Sequence, residues 1–359
     1  MFCPQCGKEN PNGANFCMQC GADLRALRTS SSAPSKPRPP KAHPRVTPVT
    51  SEDVIGALYR RYRVDNDAAL ERALRERLAS QAAHPDREVI EQWVAFSRAV
   101  DRRPGLGGVK LSRMNLEGID LAGADLMDAD LSEAVLRSAN LSAANLERAN
   151  LDGAMLREAT LNSANLGGAL MRGADLREAK LVGARLNDAD LRQALLNRAN
   201  LRKGDLSGAK LNEADLSRSD LRDIDLRRAV VSGADLRECG LVGADMREAV
   251  LFMTRLSGAV LVNADLRGAD ARKAYMNGAD LRKAYLNDAK LNGAQFNGAK
   301  LNETYLSGAD LSSADLSGAD LRGAVLSGAV VTGAKCDTST ILPNNSKWTL
   351  GAKLERFAN

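Results

Sequence analysis

Leucine returns at nearly every fifth position of this chain from Leu111 to Leu326, and Val331 closes the series. Positions 111, 116, 121, 126, 131 and 136 are all Leu, and about forty-five such steps run without an insertion. Two residues ahead of each stands a small residue, usually Ala, as at Ala124, Ala129, Ala134 and Ala139. Asp or Asn often fills the place between, as at Asp125, Asp130, Asn140 and Asn145. The unit is A-(D/N)-L-x-x. A repeat this long decides the fold before any other signal is weighed.

A period of five matches neither the 3.6 of a helix nor the 2 of a plain strand. With Leu at position i, residues i−2 and i share one side of an extended segment, because side chains alternate. Ala and Leu therefore point inward together, and the Asp or Asn between them points out. The next two positions must turn the chain. Gly is frequent at i+2, as at Gly123, Gly173, Gly258, Gly278, Gly298 and Gly318, where a type II turn needs a positive φ. Asx at i−1 can hydrogen-bond nearby turn backbone. Short extended segments and corners alternate into a flat-sided coil. One coil buries too few leucines to offset the backbone entropy of ordering it, so coils must stack.

These residues resemble the pentapeptide-repeat family over about two thirds of the chain. The resemblance implies a mainly β fold: a right-handed quadrilateral β-helix, a solenoid with four pentapeptides per coil. About eleven coils at the ~4.8 Å strand spacing make a rod about 54 Å long. Departures are few and inward: Gly204, Ser219, Ile224, Cys239, Thr254 and Thr304 at Ala steps, and Met171, Val231, Met246, Ala271, Met276 and Phe296 at Leu steps.

Taken in order, the chain divides into five parts. Residues 1–25 contain two C-x-x-C pairs, Cys3 with Cys6 and Cys17 with Cys20, each followed by Gly (Gly7, Gly21). Four thiolates at this spacing suit tetrahedral Zn²⁺ with no open position, hence a structural rather than catalytic metal. The stretch is similar to short bacterial zinc ribbons. The alternative, a pair of disulfides, belongs to oxidising compartments, and Met1 to Gly7 lacks the apolar core of a secretory signal. Reduced thiols point to the cytoplasm. Residues 26–50 are Pro, Ser and basic, with Lys36, Arg38, Lys41 and Arg45 and no acidic residue. They read as a solvated, semi-extended linker; a basic tether for nucleic acid is the competing reading.

Residues 51–104 read as helical, with Ser51 as an N-cap and Val89, Ile90, Trp93 and Val94 spaced for one apolar face. This segment is expected to cap the first coil, with docking or oligomerisation as the alternative. Residues 105–336 hold the repeats. Residues 337–359 break the pattern and gather Ile341, Leu342, Trp348, Leu350, Leu354 and Phe357. An open solenoid end exposes unpaired strand edges, so this tail reads as a C-terminal cap or as a dimer contact.

The net charge of +5 is concentrated upstream of nearly balanced repeats. There is no run of apolar residues long enough for a membrane helix. The repeats contain no His, and Cys239 and Cys336 sit at inward steps as small hydrophobes. No phosphate loop and no nucleophile with a base are present, so the chain does not read as an enzyme. With twenty residues per coil, outward residues twenty apart form columns. Asp205, Asp225, Asp245 and Asp265 run beside Arg227, Arg247 and Arg267, a charge column that neutralises itself. Arg137, Arg157 and Arg177 form another. Two columns are apolar: Tyr285, Tyr305 and Val325, and Val230 with Val250, beside Phe252 and Met253. These seven residues are the candidate surface for a partner protein or a second copy of the chain. The expected function is a non-catalytic interaction scaffold tethered to a zinc ribbon. Two alternatives stand beside it. Some pentapeptide-repeat relatives inhibit DNA gyrase as acidic mimics of duplex DNA, which needs a strongly negative surface. The ribbon and basic linker could also bind nucleic acid weakly.

Overall fold

The structure, a computed structural model, describes residues 87–99, 102–349 and 354–358. The zinc-ribbon cysteines, the basic linker and the helical expectations ahead of residue 87 lie outside these residues.

From Gly105 onward, each outward i−1 residue bridges in parallel to the residue twenty positions later: Gly105 to Asp125, Asp120 to Asn140, and so on to Asp315 and Lys335. Four five-residue units therefore make one turn of the coil. The inward steps behave as their chemistry requires. Leu121, Ala124, Leu126 and Ala129 are all fully buried, as are the substituted steps Met171, Cys239, Met246, Ala271, Met276 and Phe296. Leu106, one step ahead of the leucine series described above, is also in this core. Polar atoms at Ala steps find acceptors on the neighbouring coil: Ser219 Oγ donates to the Leu196 carbonyl at 2.7 Å and Thr254 Oγ1 to that of Val231 at 2.8 Å.

One repeat shows how the backbone is satisfied. Leu121 N–H donates to the Asn140 carbonyl at 2.7 Å and Gly123 N–H to that of Ser142 at 2.8 Å, both on the next coil. Asp125 N–H reaches back to the Pro104 carbonyl at 2.8 Å, and Ala124 N–H closes the turn on Leu121 at 3.0 Å. The fifth donor, Ala122 N–H, has no place in this stack and is taken by Asp120 Oδ1 at 3.1 Å. This is the physical reason for Asx at i−1. In three repeats that lack it, an Asx on the preceding coil substitutes. Arg172, Val182 and Asn297 follow Leu170, Lys180 and Gln295, and their N–H groups donate to Asp152, Asn162 and Asn277 Oδ1 at 2.8, 2.9 and 3.2 Å.

The third turn residue has positive φ whatever its identity: 69° at Gly123, but also 61° at Arg113, 56° at Glu133 and 56° at Met253. Glycine marks such turns in the sequence without being needed at all of them. The left-handed conformation disfavours a side chain by roughly 1–2 kcal/mol, and the interlocked coils impose it.

Both ends are covered. Helix α1, Arg87–Ala99, carries Glu88 in its first turn and Arg98 in its last, matching the helix dipole. Val89, Ile90, Trp93, Val94 and Phe96 are buried, and all but Val89 join the same core as Leu106 and Leu111. Trp93 Nε1 donates to the Gly105 carbonyl at 2.9 Å, and Arg98 pairs with Asp120 at 2.8 Å. At the other end the pattern survives the expected break. Asp320 bridges to Ile341, twenty-one residues on, and Ile341 pairs antiparallel with Lys347. Cys336, which precedes this shift and keeps the register, packs against the core but is only half-buried, correcting the expectation of full burial from its inward step. Leu342, Leu354 and Ala358 are buried, and Gly328 N–H donates to the Ala358 carbonyl at 2.6 Å. The tail thus covers the last coil.

Phe296→Ala removes the largest fully buried side chain of the rod. It should lower unfolding stability by about 3–5 kcal/mol in denaturant titrations followed by circular dichroism. A loss under about 1 kcal/mol would mean that the interior is not close-packed there.

Candidate interaction surface

The sequence D-L-R recurs at the outward steps. In Asp245-Met246-Arg247, a variant of it, Asp245 Oδ1 accepts from Arg247 Nε at 2.8 Å and Oδ2 from Nη2 at 2.6 Å. The same carboxylate accepts the Arg247 backbone N–H at 3.3 Å. Asp175, Asp190, Asp220, Asp270 and Asp280 are held by Arg177, Arg192, Arg222, Arg272 and Arg282 in the same way. Coils are linked more loosely, with Arg227 Nε 3.7 Å from Asp245 and Arg247 Nε 3.7 Å from Asp265. Of the self-neutralising column expected from Asp205 to Arg267, the part from Asp225 on is present, with its main bonds within each repeat, whereas Asp205 has no arginine partner among the described residues and accepts the Ser207 N–H at 2.9 Å. The guanidinium contact holds the carboxyls of Asp175, Asp190, Asp220, Asp245, Asp270 and Asp280 below the usual range. Asp337 is lowered to about 2, first by the Ser339 hydroxyl and then by the Gly318 N–H.

The charge pattern lapses at the two apolar columns. Tyr285 bridges to Tyr305 and Tyr305 to Val325. The two phenol rings are stacked, 4.9 Å apart at 5°, a contact worth about 0.5–1.5 kcal/mol beyond the area it covers. All three residues remain exposed, at 42%, 41% and 41%. Their exposed apolar side chains adjoin one another along the axis. Val230 and Val250 bridge on the adjacent side and are half-buried, as is Phe252, whereas Met253 is exposed. The guanidinium of Arg272 and the ammonium of Lys273 each lie 5.9 Å from the Phe252 ring centre.

The structure adds one residue that column arithmetic misses. Tyr275 stands across the corner from Phe252 and Met253, and with Gly233, Glu213 and Arg255 they line a groove of about 370 Å³. Its position, twenty-three residues after Phe252, joins one side to the next and falls in no single column. The two patches do not merge; they occupy different sides and different coils. No His, Cys, Asp and Glu grouping suited to a metal occurs among the described residues, and no helix there is long and apolar enough to cross a membrane.

Comparison with known families places the repeats and the cysteine pairs separately. The model for pentapeptide repeats matches in eight copies, over residues 106–142, 134–173, 174–212, 214–251, 254–288 and 289–328. The model for the zinc-ribbon domain matches residues 2–24. No curated protein matches the chain. Among solved structures, HetL is a pentapeptide repeat protein involved in heterocyst differentiation regulation from the cyanobacterium Nostoc sp. strain PCC 7120. It is 32% identical over 70% of this chain and 96% of its own, with a TM-score of 0.40. Rfr23, a pentapeptide repeat protein from the cyanobacterium Cyanothece 51142, is 29% identical over 32% of this chain and 62% of its own, with a TM-score of 0.18. QnrB1, a plasmid-mediated fluoroquinolone resistance protein, is 19% identical over 65% of this chain and 91% of its own, with a TM-score of 0.26.

The ion pairs make stability depend on acid in a defined direction. Carboxyls whose folded pKa is lowered contribute stability above their unfolded value of about 4, and that contribution is lost as pH falls through the folded values. Thermal midpoints should therefore be level from neutral pH to about 4 and fall below it, with Asp337 protonating last, near 2. An unchanged midpoint at pH 2.5 would show that these pairs add nothing.

Proposed function

This chain belongs to the pentapeptide-repeat family, and from that premise we propose that it is a non-catalytic protein-interaction scaffold, a rigid rod carrying a zinc ribbon. One observation carries the reading. The rod's carboxylates are largely held by its own arginines, whereas Tyr285, Tyr305 and Val325 present an unbroken apolar column to solvent. Burying that column against a partner removes apolar surface from water and needs no ion pair to be broken. Phe252, Met253 and Tyr275, with Val230 and Val250 beside them, offer a second anchor point.

The ion pairing also weighs against a DNA mimic. Asp225, Asp245 and Asp265 are each bound by a guanidinium of their own repeat, so their column lacks the uncompensated negative field that imitation of duplex DNA needs. Addition of the purified protein to a DNA gyrase supercoiling reaction is expected to leave the rate unchanged.

For the N-terminal module, Cys3, Cys6, Cys17 and Cys20 supply four soft thiolate donors, the set that suits tetrahedral Zn²⁺. The metal would supply folding energy to a segment too short to build a core. The basic linker is read as a spacer, and the module as cytoplasmic, where thiols stay reduced.

Two outcomes follow. Replacing Tyr285 and Tyr305 together by Ala in the full-length chain should weaken retention of its partner in pull-downs by roughly tenfold or more, with circular dichroism unchanged. Retention equal to the parent protein would remove the column from the interface. Elemental analysis of the full-length protein should find one zinc per chain, lost in Cys17→Ser/Cys20→Ser, while the thermal midpoint of the rod stays the same. Metal-free protein with all four thiols reduced would refute the ribbon assignment.

A further inference from the structure

On the corner that carries Glu178, Arg198, Arg218 and Glu238, one ion pair expected along the axis gives way to another contact. Residues at the third turn position stack twenty apart, and opposite charges there pair along the axis: Arg113 with Glu133 at 3.0 Å, Arg148 with Asp128 at 2.9 Å, Arg218 with Glu238 at 2.9 Å and Arg228 with Glu248 at 3.2 Å. By this rule Glu178 should take Arg198. Instead Glu178 accepts from Arg157 Nη2 at 2.8 Å. Arg198, which is exposed, is left with no hydrogen-bond or ion-pair partner among the described residues. The residue one coil above it is Arg218, another cation, at a coil spacing of about 4.8 Å.

These side chains line a groove of about 280 Å³ that also contains Arg177, Arg237 and Ser217. Arg157 Nε is buried without a hydrogen bond, its nearest carboxylate being Glu158 at 3.5 Å. Arg218 gives Nε and Nη2 to Glu238, which leaves its Nη1 uncommitted. Arg177 and Arg237 are fixed by Asp175 and Asp235 and frame the groove rigidly. The groove thus holds uncommitted donors and two arginines one coil apart in the same column, whose like charges oppose each other.

We propose that this groove binds a single tetrahedral oxyanion of the phosphate class, bridged by Arg198 and Arg218. A planar guanidinium offers paired N–H donors that match phosphate oxygens, and a bound dianion converts the Arg198–Arg218 repulsion into two attractions. The site is built for one phosphate and not for a polyanion. Glu178 lies on the coil below Arg198 and Glu238 on the coil above Arg218, so a nucleic-acid backbone running along the axis would meet a carboxylate at either end. The phosphate can be a free ion or one carried on a phosphorylated side chain of a partner protein.

The test is titration calorimetry on the full-length chain at constant ionic strength, with inorganic phosphate in one arm and a phosphoserine peptide with its unphosphorylated counterpart in another. Saturable binding is expected, weakened roughly tenfold by Arg198→Gln and similarly by Arg218→Gln. Arg228→Gln, an exposed arginine paired elsewhere on the rod, should bind as the parent does. Circular dichroism confirms that each variant is folded. Tighter binding of the phosphopeptide than of phosphate identifies a phosphorylated partner, and the reverse identifies a free ion; either supports the site. The proposal is overturned by absence of binding in both arms, by equal binding in Arg198→Gln, by equal loss in Arg228→Gln, or by an oligonucleotide that binds more tightly than either probe.

Discussion

In every five residues of this stack one backbone N–H stands outside the backbone ladder between coils, and wherever Asp or Asn precedes the inward residue its side chain is placed to meet it. The donor at i+1 is caught by the side-chain oxygen at i−1, as Ala122 N–H is by Asp120. An unmet donor would be repeated on every side of every coil, and each would cost about 1–3 kcal/mol if shielded from water. Hence the recurring Asp or Asn. Once an Asp is fixed there, an Arg two residues on can reach both of its oxygens, as Arg247 does at Asp245. The surface charge pattern is therefore a consequence of a backbone requirement. Acidic residues that look like a binding face in the sequence are engaged before any partner arrives.

This ordering explains which features are legible in the sequence. The inward Leu and Ala steps follow from the local alternation of side chains, so a single repeat reveals them. The number of sides does not, because a five-residue period fits coils of several sizes; it appears only in the pairing of Asp120 with Asn140, twenty residues away. Gly123 announces its positive φ, but Arg113, Glu133 and Met253 share it silently, since contacts between coils override local preference there. Cys336 keeps its register, with Lys335 bridged to Asp315, yet on the last coil it is only half-buried. Its Leu-type step gave no sign of that.

The candidate surfaces divide along the same line. Tyr285, Tyr305 and Val325 share one column, so counting by twenty finds them. Tyr275 joins Phe252 across a corner, and no column contains both. Arg198 is harder still. In the sequence it stands twenty residues after Glu178 and looks neutralised. Only the choice of Glu178 for Arg157 reveals it as uncommitted. Features that depend on which of two permitted partners a side chain takes need coordinates.

Covered ends change what the sides can do. With α1 packed on the first coil through Trp93 and with Leu354 and Ala358 against the last, the two apolar ends of the core are shielded. Association is then left to side-chain surfaces. Coils touch only their neighbours, so a change on one coil is felt little beyond the next. Arg198 and Tyr285 are more than four coils apart, roughly 20 Å along the axis, well past the 7–10 Å or so within which substitutions couple. An oxyanion groove and an apolar column can therefore coexist on one rigid rod, each free to be gained or lost without disturbing the other or the leucine core beneath both.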